Sequence, residues 1–176
     1  MTISSEELKA MQAPLKERYR EEPETARVTL TATGSLGDGV TCSVQTGRAL
    51  VEAGLHPATG GTGSSACSGD MLLEALVACA GVTLRAVATS TGIDVRGGTV
   101  SAEGDLDFRG TLGVDREAPV GFDSIRLAFE LDTDASEQEL ETLSRLTGRY
   151  CVVARSLRAE PALTVRRRGE GDAEGP

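Results

Sequence analysis

Tryptophan is absent from this sequence, and the aromatic residues number three Phe and two Tyr in 176 positions. The core must therefore be built from Leu, Val, Ile and Ala. Histidine occurs once, at His56, and no two of the four cysteines have CxxC spacing. A transition-metal site needs several such ligands at close spacing, so no metal and no other cofactor is expected. Basic residues are scarce as well: 18 Lys and Arg stand against 27 Asp and Glu, a formal net charge of −9. Nucleic-acid affinity rests on Lys and Arg at phosphates, so a nucleic-acid partner is not expected, nor an anionic membrane surface. The opening segment, MTISSEELKAMQ, has no basic run leading into an apolar one. The expectation is a cytoplasmic protein, where thiols stay reduced and cysteines do not form a disulfide framework.

What is present fits one folded unit. The length suits one domain with a sizeable core. The reading divides the chain into an N-terminal helical extension (1–22), the main domain (23–167) and a disordered tail (168–176), which has no large apolar side chain. Residues 4–19 place Leu8, Met11 and Leu15 at helical spacing, with Pro14 interrupting the helix. Val28, Leu30 and Ala32 alternate with Thr29 and Thr31 as in a strand. Gly37-Asp38-Gly39 marks a hairpin turn, and 40–46 form the returning strand. A third short strand is expected around 48–52.

A Gly- and Ser-rich loop, GLHPATGGTGSSACSGD, leads into the strongest helical pattern, Ser68 to Thr91. Ser68 or Asp70 can cap its start, and Gly92 supplies its stop. Leu72, Leu76, Cys79, Ala80, Thr83 and Val87 share one face, while Leu73, Val77 and Leu84 line the next. So wide an apolar surface predicts deep burial. The apolar stretch 71–87 contains Glu74 and Arg85, which favours a buried helix over a membrane span. Residues 93–108 and 122–133 read as an antiparallel strand pair. Ser136 and Glu139 form a capping box opening a second helix that Gly148 is expected to end. A short helical segment near Cys151 and a last strand at 162–165 complete an α+β domain: an antiparallel sheet with two main helices on one face.

Cys79 lies in LLEALVACAGVTLRAVA and Cys151 in GRYCVVARSL. Each by itself reads as a small packing residue, since free Cys is among the most buried types. A redox role requires a thiolate. Cys79 is too far into its helix to gain from the N-terminal dipole, so an outside cation would have to lower its pKa. Cys42 and Cys67 receive no role.

Two segments carry a family resemblance. GGTGSSACSGDMLLEALVACAGVTLRAVA resembles the part of the OsmC/Ohr family in which a Gly-rich loop enters a buried helix bearing a redox cysteine. TGRYCVVARSL resembles the family's second cysteine signature, and TATGSLGDG its opening hairpin. The resemblance runs from about Arg27 to Val165. It implies an OsmC-like fold in an intertwined homodimer with its sites at the subunit interface. It also implies a hydroperoxide reductase with Cys79 peroxidatic and Cys151 resolving, recharged by an external dithiol. The alternative is a non-enzymatic thiol redox sensor or small-ligand binder.

Two departures accompany it. Cys67-Ser68-Gly69 stands where the organic hydroperoxide branch has Asn-Pro-Glu, which leaves Asp70 as the nearest carboxylate. Where that branch has an activating Arg after a Gly-Gly pair, this chain offers Leu36 or Gly37. Arg48, Arg85 and Arg149 remain as candidate cations, with Arg48 preferred. A solvated surface charge accounts for Arg48, and a helix-start charge for Asp70, without any function.

Overall fold

A computed structural model describes residues 5–37, 42–44, 53–64, 66–158 and 161–168. Helix α1 (Ser5–Glu21) opens the chain. Pro14 does not break it. Ala10 and Pro14 are both exposed, so the carbonyl that loses its amide partner faces water. The helix docks through Tyr19, fully buried beside Ala26, Phe108 and Leu112. The Tyr19 hydroxyl donates to the Ala58 carbonyl at 2.6 Å.

Strand β1 (Arg27–Leu36) pairs antiparallel with β2 (Cys42–Val44). The turn between them and the strand expected at 48–52 lie outside the described residues. Helix α2 runs Ser68–Thr91, as its sequence pattern indicates. Gly92 ends it in the left-handed region at φ 73°, where the missing Cβ removes the steric cost. The start differs from expectation: Cys67, not Ser68 or Asp70, is the N-cap residue, and no side chain caps it.

The chain continues through β3 (Gly97–Asp107), the single turn α3 (Phe108–Thr111) and β4 (Phe122–Asp132). Helix α4 (Glu137–Tyr150) opens on the expected capping box, the Ser136 hydroxyl receiving the Glu139 amide. It runs through Gly148 and ends at Cys151. Cys151 is also the N-cap residue of α5 (Val152–Ser156), which leads to β5 (Ala162–Arg167).

The sheet order is β2-β1-β3-β4-β5. Every pairing is antiparallel except the last, in which β5 runs parallel to β4. The physical reason is the connection. The chain leaves β4, crosses one face through α4 and α5, and re-enters in the same direction. Ile125, Leu127, Phe129 and Leu131 project to the helix side with Val100 and Ala102 of β3. There they meet Leu73, Leu76, Val77 and Leu84 of α2 and Leu140 and Leu143 of α4. The alternate residues face outward and are ion-paired: Arg126 holds Glu103 and Asp105, and Arg166 holds Glu130. One sheet face is thus the core wall and the other is solvated, the usual division for such sheets. Half of the apolar stretch of α2 is buried in the protein.

Candidate active site

The site forms where α5 packs on the middle of α2. Cys79 lies on the α2 face that leans toward α5, and it is half-buried. Cys151 is fully buried at the joint between α4 and α5. Its backbone amide still bonds the Thr147 carbonyl at 2.9 Å, and its own carbonyl receives Arg155 at 3.0 Å. Those two bonds fix Cys151 between two helices and turn its side chain toward α2. The two sulfurs are near enough for each to shift the other's ionisation. Cys67, Cys79 and Cys151 are all free thiols.

The environment separates the two acidities. Burial acts most strongly on Cys79 and raises its pKa. It is outweighed by the Val153 backbone amide, the Cys151 thiol, the Thr83 hydroxyl and the Val152 backbone amide, all of which favour the thiolate. The net effect lowers the Cys79 pKa below the ordinary thiol value. Burial pushes the Cys151 thiol up, to about 11, and proximity to Cys79 adds to this. The pair therefore holds one thiol that ionises more readily than usual and one that keeps its proton.

The expected outside cation is not what does this among the described residues. The amides that open α5, together with two hydroxyl or thiol donors, take that place. Sequence reading missed these contacts. Thr83 could have been found from its spacing of four residues after Cys79 on a helix. The amides could not, because their aim depends on how α5 rests on α2.

The other candidates are elsewhere. Arg48 lies outside the described residues. Asp70 sits in the first turn of α2. Nine residues of helix put it about 13 Å along the axis from Cys79, so within one chain it does not reach the sulfur. Arg85 is buried and donates to the carbonyls of Val95 and Gly37, tying the end of β1 to the segment after α2. Its Nε has no partner among the described residues. Arg149 lies over the Tyr150 ring at 5.4 Å. His56 caps a 3-10 turn by accepting from the Ala58 amide at 3.0 Å, and its ring stacks on Phe108 at 4.9 Å. That is a packing role for the lone histidine. Among the described residues no group of His, Cys, Asp and Glu could hold a metal ion.

Comparisons with known proteins agree with this architecture. No curated protein matches the sequence. Among solved structures, the chain is similar to one from Legionella pneumophila described as an organic hydroperoxide resistance protein OsmC, predicted redox protein, regulator of sulfide bond formation. The TM-score is 0.54 at 16% identity, over 78% of this chain and 95% of that one. It is likewise similar to an OsmC-like protein from Mycoplasma pneumoniae, with TM-score 0.55 at 15% identity, over 80% and 93% of the two chains. At such identities the likeness concerns the fold. The sequence itself is matched by the family model described as OsmC-like protein over residues 61–166, a span that takes in both Cys79 and Cys151. With more than half its length so matched, this chain belongs to the OsmC-like protein family.

Proposed function

We propose that the protein is a thiol-dependent hydroperoxide reductase of oxidative-stress defence, working as a homodimer. Cys79 is the peroxidatic residue and Cys151 the resolving one. The observation that carries this reading is the contact between a thiol pushed toward the anion and a buried thiol kept protonated beside it. The similar Legionella protein, described by its organic hydroperoxide resistance, favours the same substrate class.

The chemistry follows from the two environments. The Cys79 thiolate attacks one peroxide oxygen. An S–O bond forms, the O–O bond breaks, and the alkoxide leaves as alcohol after taking a proton. Cys79 is then a sulfenic acid, two electrons more oxidised. The Cys151 sulfur attacks that sulfur, an S–S bond forms, and water departs with the sulfenic oxygen and the Cys151 proton. An external dithiol reduces the disulfide by exchange and returns both thiols. The α5 amides favour the attacking anion, and burial of Cys151 keeps it from competing as nucleophile until the sulfenic acid is formed.

The test is stoichiometric. Reduced protein mixed with tert-butyl hydroperoxide should lose two thiols per chain and yield one equivalent of tert-butanol. A protein that keeps all its thiols against several hydroperoxides would instead be a ligand binder.

A further inference from the structure

Thr83 stands four residues after Cys79 on α2, so the two side chains share one face a single turn apart. Its Oγ1 lies 2.7 Å from the Cys79 carbonyl oxygen, a common arrangement for a helical threonine. No hydrogen bond joins the same hydroxyl to the Cys79 sulfur among the described residues, but it is near enough to favour the thiolate. It therefore has two acceptors within reach and one proton to give. The carbonyl already receives a helical amide bond, so it can give up the hydroxyl without being left unsatisfied.

We propose that Thr83 is a catalytic residue of the Cys79 reaction, its hydroxyl turning from the Cys79 carbonyl to the sulfur when the thiolate forms. The inference rests on Cys79 being the nucleophile. Only the hydroxyl rotor moves and the heavy atoms stay in place, so the donor is supplied without reorganisation. With Cys79 as neutral thiol, the hydroxyl returns to the carbonyl and its oxygen can accept the S–H.

Other groups around the sulfur leave this role open. Among the described residues, the titratable group that acts on Cys79 is the Cys151 thiol, at the α4–α5 joint, and α5 acts through its backbone amides. Arg149 of α4 is over the Tyr150 ring, and Arg85 of α2 is bound to Val95 and Gly37. Glu103 and Asp105 of β3 are paired with Arg126 on the opposite sheet face.

A hydrogen bond to a charged group lost at this position should cut the thiolate fraction about tenfold at pH values below the wild-type Cys79 pKa. The remaining thiolate is more basic and about threefold more nucleophilic. Thr83→Val should therefore alkylate at Cys79 about threefold more slowly than wild type on the acid limb of the profile, below the wild-type Cys79 pKa. On the alkaline plateau, where both are fully ionised, it should react about threefold faster. Thr83→Ser keeps the hydroxyl and should follow wild type at both ends. The measurement is iodoacetamide labelling of the full-length reduced protein against pH, with the Cys79 peptide quantified by mass spectrometry. Alkylation reads the thiolate whether or not peroxide is turned over, so failure of the peroxidase reading stays separate from failure of this one. Crossing profiles for Thr83→Val with rescue by Thr83→Ser are the expected result. Coincident wild-type and Thr83→Val profiles, or a uniform slowing at all pH values, would overturn the assignment.

Discussion

At the scale of single residues, the two cysteines should fail in different ways when replaced. Cys79→Ser removes the thiol whose anion the site favours, and a serine hydroxyl has no accessible anion near neutral pH. Peroxide consumption should disappear and dimedone should label nothing at position 79. Cys151→Ser leaves the first step intact and blocks the second. One equivalent of peroxide should be consumed, followed by stoichiometric dimedone labelling of Cys79. Mass spectrometry separates the two outcomes, and wild-type turnover by Cys79→Ser would move the nucleophile elsewhere. The same pair should shape stability against pH. Cys79 ionises more readily in the folded chain, so its contribution is present above the ordinary thiol value of 9.0 and is lost as pH falls through its lowered value. Cys151 has the opposite sign. Its contribution is complete below 9.0 and is lost as pH rises toward about 11. Urea midpoints measured from pH 7 to 11 should thus pass through a maximum near 9. The decline above it should be shallower in Cys151→Ala. An equal decline in that variant would mean other groups cause it.

At the scale of elements, Gly148 offers a test of why α4 continues where a stop was expected. Glycine costs a helix interior about 1 kcal/mol relative to alanine, which is why it reads as punctuation. Here Leu140, Leu143 and Thr147 are buried along α4, and their packing carries the helix past the glycine. A Cβ at position 148 would meet only Leu163 Cδ1, at 3.8 Å, an ordinary contact. Gly148→Ala should therefore stabilise the protein by about 0.5–1 kcal/mol in chemical denaturation. A destabilisation would show that the space is needed. Gly104 is the counter-case. A Cβ there would lie 2.4 Å from Phe122 Cε1, and Gly104→Ala should destabilise.

These elements also show what could be read beforehand. Helix α2 was legible because glycine marks its end and apolar residues fill its length. The start of α4 was legible because a capping box is a local signal. The direction of β5 depends on a connection through two helices across one sheet face. The meeting of Cys79 with Cys151, 72 residues apart in the sequence, was supplied by family resemblance alone. The donors around the sulfur come from the packing of α5 on α2, which no local pattern encodes.

At the scale of the whole molecule, the two faces of the fold call for different surroundings. The outer sheet face carries Arg126, Glu103, Asp105, Glu130 and Arg166 in mutual ion pairs. Such a face is at ease in water. The helix side is not so finished. Met71, Leu72 and Val82 of α2 remain over one-third exposed, and Tyr150 and Val152, which flank Cys151, more than half. Exposed apolar residues gathered along one helix and around the two cysteines are the surface that the proposed homodimer would cover. A second copy meeting it about a two-fold axis would bury the same residues twice. It would also dry the Cys79 site, which strengthens every hydrogen bond to the thiolate. Sedimentation equilibrium at micromolar concentration should therefore give a dimer, with an interface of the obligate class above about 2,000 Å². Val82→Glu places a charge one turn from Cys79 on this surface and should shift the equilibrium strongly toward monomer. If the dimer completes the site, that variant should also lose peroxide turnover at concentrations where it is monomeric and regain part of it on concentration. A wild-type monomer at tens of micromolar would refute the assembly. A stable dimer unaffected by Val82→Glu would place the interface on another surface.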